Sequence, residues 1–267
     1  LSNFLQRAIT GILFVALLMG AIFYGHISTA IIFVVIALLG WKELANLIHI
    51  PTGGAHFTYA IFTLILWSSI GFSSTPLALV NTILISFLVV ALTRSLFQQK
   101  FNTQDSGKEV FAFIYLNLPF VSLFSMGWDQ QSEKFSPITV LMIFFMVWAN
   151  DTGAYLTGRA IGKHKMYPKL SPGKTWEGTV GGVIISMLIT YILAEYVFDL
   201  DYQYYLGAAF ITGTFATLGD LFESKMKRER GIKDSGNLLP GHGGILDRFD
   251  ALFLAAPANY IYFILVH

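Results

Sequence analysis

No cysteine occurs in the 267 residues, which excludes disulfides and thiolate metal sites. Charge is scarce too. Only 12% of residues are Asp, Glu, Lys or Arg, about half of what a soluble domain carries. The formal net charge is +1, so the balance gives no ground for a nucleic-acid partner. The first apolar stretch is followed by no small-residue cleavage pattern and reads as a retained helix, not a signal peptide.

What fills the chain instead is apolar surface: 55% hydrophobic residues and a mean hydropathy of +0.63. At roughly 20 apolar residues per crossing, nine candidate spans emerge: 7–24, 28–48, 56–72, 77–97, 110–127, 136–158, 179–198, 204–223 and 248–266. Breaks fall at turn-forming clusters such as Pro51-Thr52-Gly53-Gly54 and Ser73-Ser74-Thr75-Pro76. The weakest span is 110–127, interrupted by Asn117 and Pro119. The expected fold is all-α, a polytopic membrane bundle of about nine transmembrane helices. Residues 1–135 read as N-terminal spans, a scaffold with a lipid or dimer surface. Residues 136–267 read as a C-terminal catalytic region with cytoplasmic loops 159–178 and 224–247. With the N-terminus inside and the C-terminus outside, sixteen of the seventeen Lys and Arg residues fall on the cytoplasmic side, Lys134 being the exception.

Three stretches carry chemistry. The sixth span ends in Asn150-Asp151-Thr152-Gly153-Ala154-Tyr155. An acid at the centre of a membrane helix costs about 2.5–3.5 kcal/mol on insertion scales, so it is kept for a partner or a function. Asp151, Tyr155 and Arg159 share one helix face at i, i+4 and i+8. Asp151 is therefore either a site carboxylate or an interfacial acid paired with Arg159.

The loop from Arg159 to Gly178 holds five basic residues and one acid, Glu177. Topology and attraction to anionic lipid, about 1 kcal/mol per basic residue, account for the lysines. They do not account for Ser171-Pro172-Gly173-Lys174-Thr175. Here a Pro-Gly turn brings hydroxyls, an ammonium and the N–H groups of the next helix together, donors suited to phosphate. It is not a Walker A loop, because the required earlier glycine falls at Pro168.

The third stretch surrounds the last polar loop. Asp220, Glu223 or Ser224, and Lys227 lie on one face of the eighth span's exit; Asp247 and Asp250 share a face of the ninth. Carboxylates at two such helix ends suit Mg²⁺, which takes one or two carboxylates and completes its shell with water and phosphate. A purely electrostatic preference for a helix N-terminus, about 0.3–1 kcal/mol, explains Asp247 but not Asp220. Between them run Lys225, Lys227, Arg228, Arg230 and Lys233, then Asp234, five glycines and His242. The glycines permit close backbone approach, as a loop folded around a ligand needs. His242 either donates to phosphate or braces the turn.

Residues 224–250, SKMKRERGIKDSGNLLPGHGGILDRFD, resemble the signature of the phosphatidate cytidylyltransferases (CDP-diacylglycerol synthases) without departure. Asp151-Thr152-x-Ala154-Tyr155-x2-Gly158-Arg159 and Ser171-Pro172-x-Lys174-Thr175-x-Glu177-Gly178 resemble the same family. In the first half, Trp41-Lys42-Glu43-Leu44 is a weak local likeness. The resemblance implies a membrane enzyme joining CTP to phosphatidate with Mg²⁺, with K⁺ as a second cation, working as a homodimer in the lipid bilayer. It places the enzyme in a bacterial inner membrane with its active site facing the cytoplasm. Asp220, Asp247 and Asp250 are the expected metal ligands; Lys227 joins them as the expected catalytic set. Asp151, Arg159, Ser171, Lys174, Thr175, Ser224, Arg228, Lys233, Asp234, His242 and Arg248 are the expected substrate-binding residues. A CTP-dependent lipid-alcohol kinase and an ion-coupled transporter are the rival readings.

Overall fold

The computed structural model describes residues 3–50, 54–72, 77–96, 103–129, 132, 134–238, 241 and 243–266. Among them are nine α-helices: α1 (Asn3–Tyr24), α2 (His26–Leu47), α3 (Gly54–Phe72), α4 (Leu77–Leu96), α5 (Thr103–Gly127), α6 (Pro137–Ile161), α7 (Trp176–Ile192), α8 (Tyr202–Glu229) and α9 (Leu246–Val266). Short strands β1 (Trp128–Asp129) and β2 (Lys134–Phe135) follow α5, and β3 (Lys165–Tyr167) and β4 (Ser171–Thr175) form an antiparallel hairpin between α6 and α7. Six helical stretches are long and apolar enough to cross a membrane: α2, most of α5, α6, α7 with the turn that follows it, α8 and α9. Shorter apolar helical runs occupy α1, α3 and α4. The chain is an integral membrane protein.

Each expected span coincides with one helix. Asn117 and Pro119 do not break α5, which runs through both. Asn117 is held by its neighbours: Nδ2 donates to the Phe113 carbonyl (3.0 Å), and Oδ1 accepts from Trp67 Nε1 (3.2 Å). A membrane helix tolerates polar and imino residues where neighbouring groups satisfy the backbone and side chain. At the far end of α7 the helix widens into a π-helical turn, Leu193–Phe198, closed by Asp199 in the left-handed region (φ 51°).

Contacts gather the chain into two compact units: Leu1–Leu118 with Gln130–Lys134 and Asp234–Asp247, and Pro119–Asp129 with Phe135–Lys233 and Arg248–His267. In the first, an aromatic core does the packing. Trp41 stacks on Tyr59 and Phe87 on Phe113, each at 4.1 Å between centroids, and Tyr59 donates to the Ala37 carbonyl (3.0 Å). Buried Glu109 on α5 is neutralised by Arg94 of α4.

The second unit packs by small residues. Every fourth residue of α7 (Gly178, Gly182, Ser186, Thr190) is buried. A methyl on Gly178 would stand 2.8 Å from the Ala154 carbonyl of α6, and one on Gly182 2.7 Å from that of Asn150. Ser186 donates to the Met146 carbonyl (2.9 Å). Small residues let helix backbones touch where lipid offers no hydrophobic drive. α8 and α9 meet the same way: a methyl on Gly219 would overlap the Asp250 carbonyl.

Candidate functional site

In the second unit, the close α8–α9 crossing at Gly219 brings Asp220 beside the start of α9. Asp220 lies within electrostatic range of both Asp151 on α6 and Asp250 on α9. The hairpin reaches the same place. Lys174 of β4 puts its ammonium 2.7 Å from Asp220 Oδ2 and 3.4 Å from the Thr217 carbonyl. One turn on, Ser224 donates to Asp220 Oδ1 (3.1 Å). Asp250 also feels the charge of Lys227. Lys227 is mostly buried and pairs at 3.1 Å with Glu223, which is wholly buried. Three carboxylates held within range of one another, with two ammonium groups, concentrate charge in a chain that has little of it.

The hairpin is tied down locally. Thr175 caps α7 by accepting from Gly178 N (3.1 Å), as a threonine does at an N-cap. Glu177 in the first turn accepts from the backbone of Lys163 (3.1 Å) and His164 (3.1 Å) and from the His164 ring (2.5 Å). The segment expected as a loop is therefore an anchored β-hairpin. Arg159 donates to Tyr155 Oη (3.4 Å), as their shared face requires.

In the first unit the polar residues converge on a different acid. Glu43, at the end of α2, is buried to 8% exposure. Its Oε1 accepts from Ile245 N (2.9 Å), and its Oε2 from Leu246 N (3.0 Å) and Ser235 Oγ (3.1 Å). Asp247 Oδ2 accepts from Ser235 N (2.9 Å), Ser235 Oγ (3.0 Å) and Gly244 N (2.9 Å). The glycines close on these acids. A Cβ on Gly236 would lie 2.6 Å from Glu43 Oε1; on Gly244 it would overlap the Glu43 carboxylate and the Ser235 hydroxyl. Gly243 takes φ +79° beside Asp247, a conformation that suits glycine. The close approach expected around a ligand is, at Gly236 and Gly244, an approach to a glutamate.

Of the expected site residues, Asp151, Lys174, Thr175, Asp220, Ser224, Lys227 and Asp250 are gathered in the second unit. Ser171 begins β4, half-buried. Arg228, Lys233, Asp234 and Arg248 are exposed, and Arg228 donates to the Ile232 carbonyl (2.9 Å). Asp247 belongs to the first unit, and His242 lies outside the described residues. Sequence reading named two acids of these networks, Glu43 and Glu223, without assigning either to the site. Glu43 carries a signal of its own, an acid beside Lys42 near the end of a mostly apolar helix; Glu223 is marked by Lys227 four residues on.

Oxygen donors alone, clustered with like charge, fit a hard divalent cation. Among the described residues, no group of three acids or histidines stands ready as a ligand set, and the Lys174 ammonium sits against Asp220.

The chain matches the cytidylyltransferase family over residues 5–266. It is also similar to proteins named phosphatidate cytidylyltransferase from Staphylococcus haemolyticus, Staphylococcus saprophyticus and Staphylococcus aureus. Each is 34% identical to it, over 94% of this chain and 95% of its own length.

Proposed function

The chain belongs to the cytidylyltransferase family, and we infer that it transfers the cytidylyl group of CTP to phosphatidate, giving CDP-diacylglycerol and pyrophosphate. The observation that carries this reading is the contact of Lys174 with Asp220, within range of Asp151 and Asp250. It joins two separate sequence motifs in one charged cluster, as nucleotide chemistry needs. A phosphate oxygen of the lipid attacks the α-phosphorus of CTP in line, the bond to the β-phosphate breaks, and pyrophosphate departs with the electron pair. Such transfers depend on positioning and charge neutralisation. The lipid phosphate is ionised at neutral pH, so no general base is assigned.

Asp220, Asp247 and Asp250 are the residues we assign to a divalent cation, Mg²⁺, with K⁺ as a second ion. Asp247 enters this set on its motif alone. When bound, the cation supplies charge neutralisation to the phosphate oxygens. Lys174 and Lys227 offer ammonium groups to the triphosphate and lipid phosphate, together with Arg228, Lys233 and Arg248 from the basic segments and His242 from the glycine-rich turn. Asp151, Ser224 and Asp234 orient those cations, and Arg159, Ser171 and Thr175 complete the hairpin side.

The remaining expectations belong to the same reading. All nine helices span the membrane, with the N-terminus in the cytoplasm and the C-terminus outside. Residues 1–135 serve as scaffold and 136–267 as the catalytic region. The protein works as a homodimer in a bacterial inner membrane, with the site facing cytosolic CTP. Purified protein given labelled CTP, phosphatidate and Mg²⁺ should form a CDP-lipid and pyrophosphate, and a chelator should stop it. CDP with a newly phosphorylated lipid would instead mean a kinase; ion flux without nucleotide turnover would mean a transporter.

A further inference from the structure

Among the residues of the first unit, Glu43 stands out. It is a buried acid on a mostly apolar helix, with both carboxylate oxygens engaged by the loop that precedes α9 and by the first amide of α9 itself. A buried carboxylate is tolerated when hydrogen-bonded, but a stability role alone does not explain why the loop is shaped around it. Gly236 and Gly244 leave room for Glu43 and for nothing larger than a hydrogen. Ser235 then links Glu43 to Asp247. Its single hydroxyl proton faces two carboxylates, Glu43 Oε2 at 3.1 Å and Asp247 Oδ2 at 3.0 Å. Whatever draws on Asp247 therefore shifts that proton toward Glu43.

We propose that Glu43 is a positioning residue for cytidylyl transfer, which sets the glycine-rich loop and, through the Ser235 hydroxyl, the carboxylate of Asp247. The proposal rests on the reading of that loop as part of the transferase site. Glutamate is required over glutamine because the two oxygens accept on both sides. A glutamine would turn an NH₂ toward either the Ile245 N–H or the Leu246 N–H and Ser235 hydroxyl, donor against donor.

The test uses the full chain in lipid nanodiscs, with two readouts. Hydrogen exchange of the free protein should show Ser235, Gly244, Ile245 and Leu246 protected in the wild type and exposed in Glu43→Gln, with α6 to α8 unchanged. Turnover by the same protein should fall on the order of tenfold or more in kcat, as for a displaced site, while the KM for phosphatidate holds within about twofold. Ser235→Ala should give a smaller fall, and Ser235→Thr, which restores a hydroxyl, should recover it. Should Glu43→Gln not insert, the serine pair carries the test: no difference in kcat between Ser235→Ala and Ser235→Thr overturns the proposal. So does unchanged exchange at 235–246, or a loss of turnover matched by an equal loss of folded protein. If the wild type makes no CDP-lipid, the functional reading fails instead, while the exchange result still decides whether Glu43 holds the loop.

Discussion

Two acids in each unit, Glu43 and Asp247 in the first and Asp220 and Glu223 in the second, are met in opposite ways. In the first, Glu43 and Asp247 are met by backbone N–H groups and a serine hydroxyl at 2.9 to 3.1 Å. Such donors belong to the fold and cannot leave without unfolding part of it. In the second, Asp220 is met by Lys174, Glu223 by Lys227, and Asp250 lies in the field of Lys227. An ammonium on a flexible stem can exchange one anion for another. Acids fixed by amides define a shape. Acids neutralised by lysines, and crowded by other acids, define a charge that a phosphate or a cation can claim.

Substitutions can break that contrast. The largest effect is expected at Asp220: Asp220→Asn should lower CDP-lipid formation by about 10³-fold or more while the protein still inserts. Wild-type turnover in the purified variant would remove Asp220 from the chemistry. Asp247→Asn comes next and separates shape from charge. The amide oxygen can still accept from Ser235 and Gly244, so exchange at 235–246 should stay slow while turnover falls to background. If exchange and turnover change together, Asp247 acts by holding the loop. Lys174→Ala should cost on the order of 10- to 100-fold in kcat/KM for CTP, the worth of a charge-assisted hydrogen bond. Steady-state kinetics that leave both parameters untouched would reduce the hairpin to a topological anchor. The smallest effect belongs to Thr175→Ala, which loses the α7 cap. It should cost about 1 kcal/mol of stability, read as a lower melting temperature in lipid, with a fall in turnover per folded molecule smaller than that of Lys174→Ala.

Much of the fold is legible in the sequence, because lipid demands long apolar helices and polar clusters must end them. The run 77–97 is α4 to within a residue, and 28–48 is α2 shifted by two at its start. The ends that escaped are polar ones. α5 starts at Thr103 and α8 continues to Glu229, through residues that hydropathy excludes but that wind well enough as helix. The hairpin also escaped, since three- and five-residue strands leave no period to read. In the site, residues near one another in sequence were found together: Asp220, Ser224 and Lys227 share a helix face as their spacing requires. Pairs across elements were less accessible. Lys174 was legible as a cation near phosphate but not as the partner of Asp220. Glu43 was legible only as part of a weak local likeness, because the donors that meet it lie 192 to 203 residues downstream.

That distance has a consequence for how the protein is made. The three donors that meet Glu43 come 192, 202 and 203 residues later in the chain. At ribosomal speeds of about 5–20 residues per second, α2 waits on the order of 10–40 s between its own synthesis and that of Ile245 and Leu246. Throughout that interval the glutamate must remain hydrated near the water interface while the intervening helices enter the bilayer. A helix made late thus completes one made early, and a ribosome stalled before residue 245 leaves the earlier helices holding an acid without its amides.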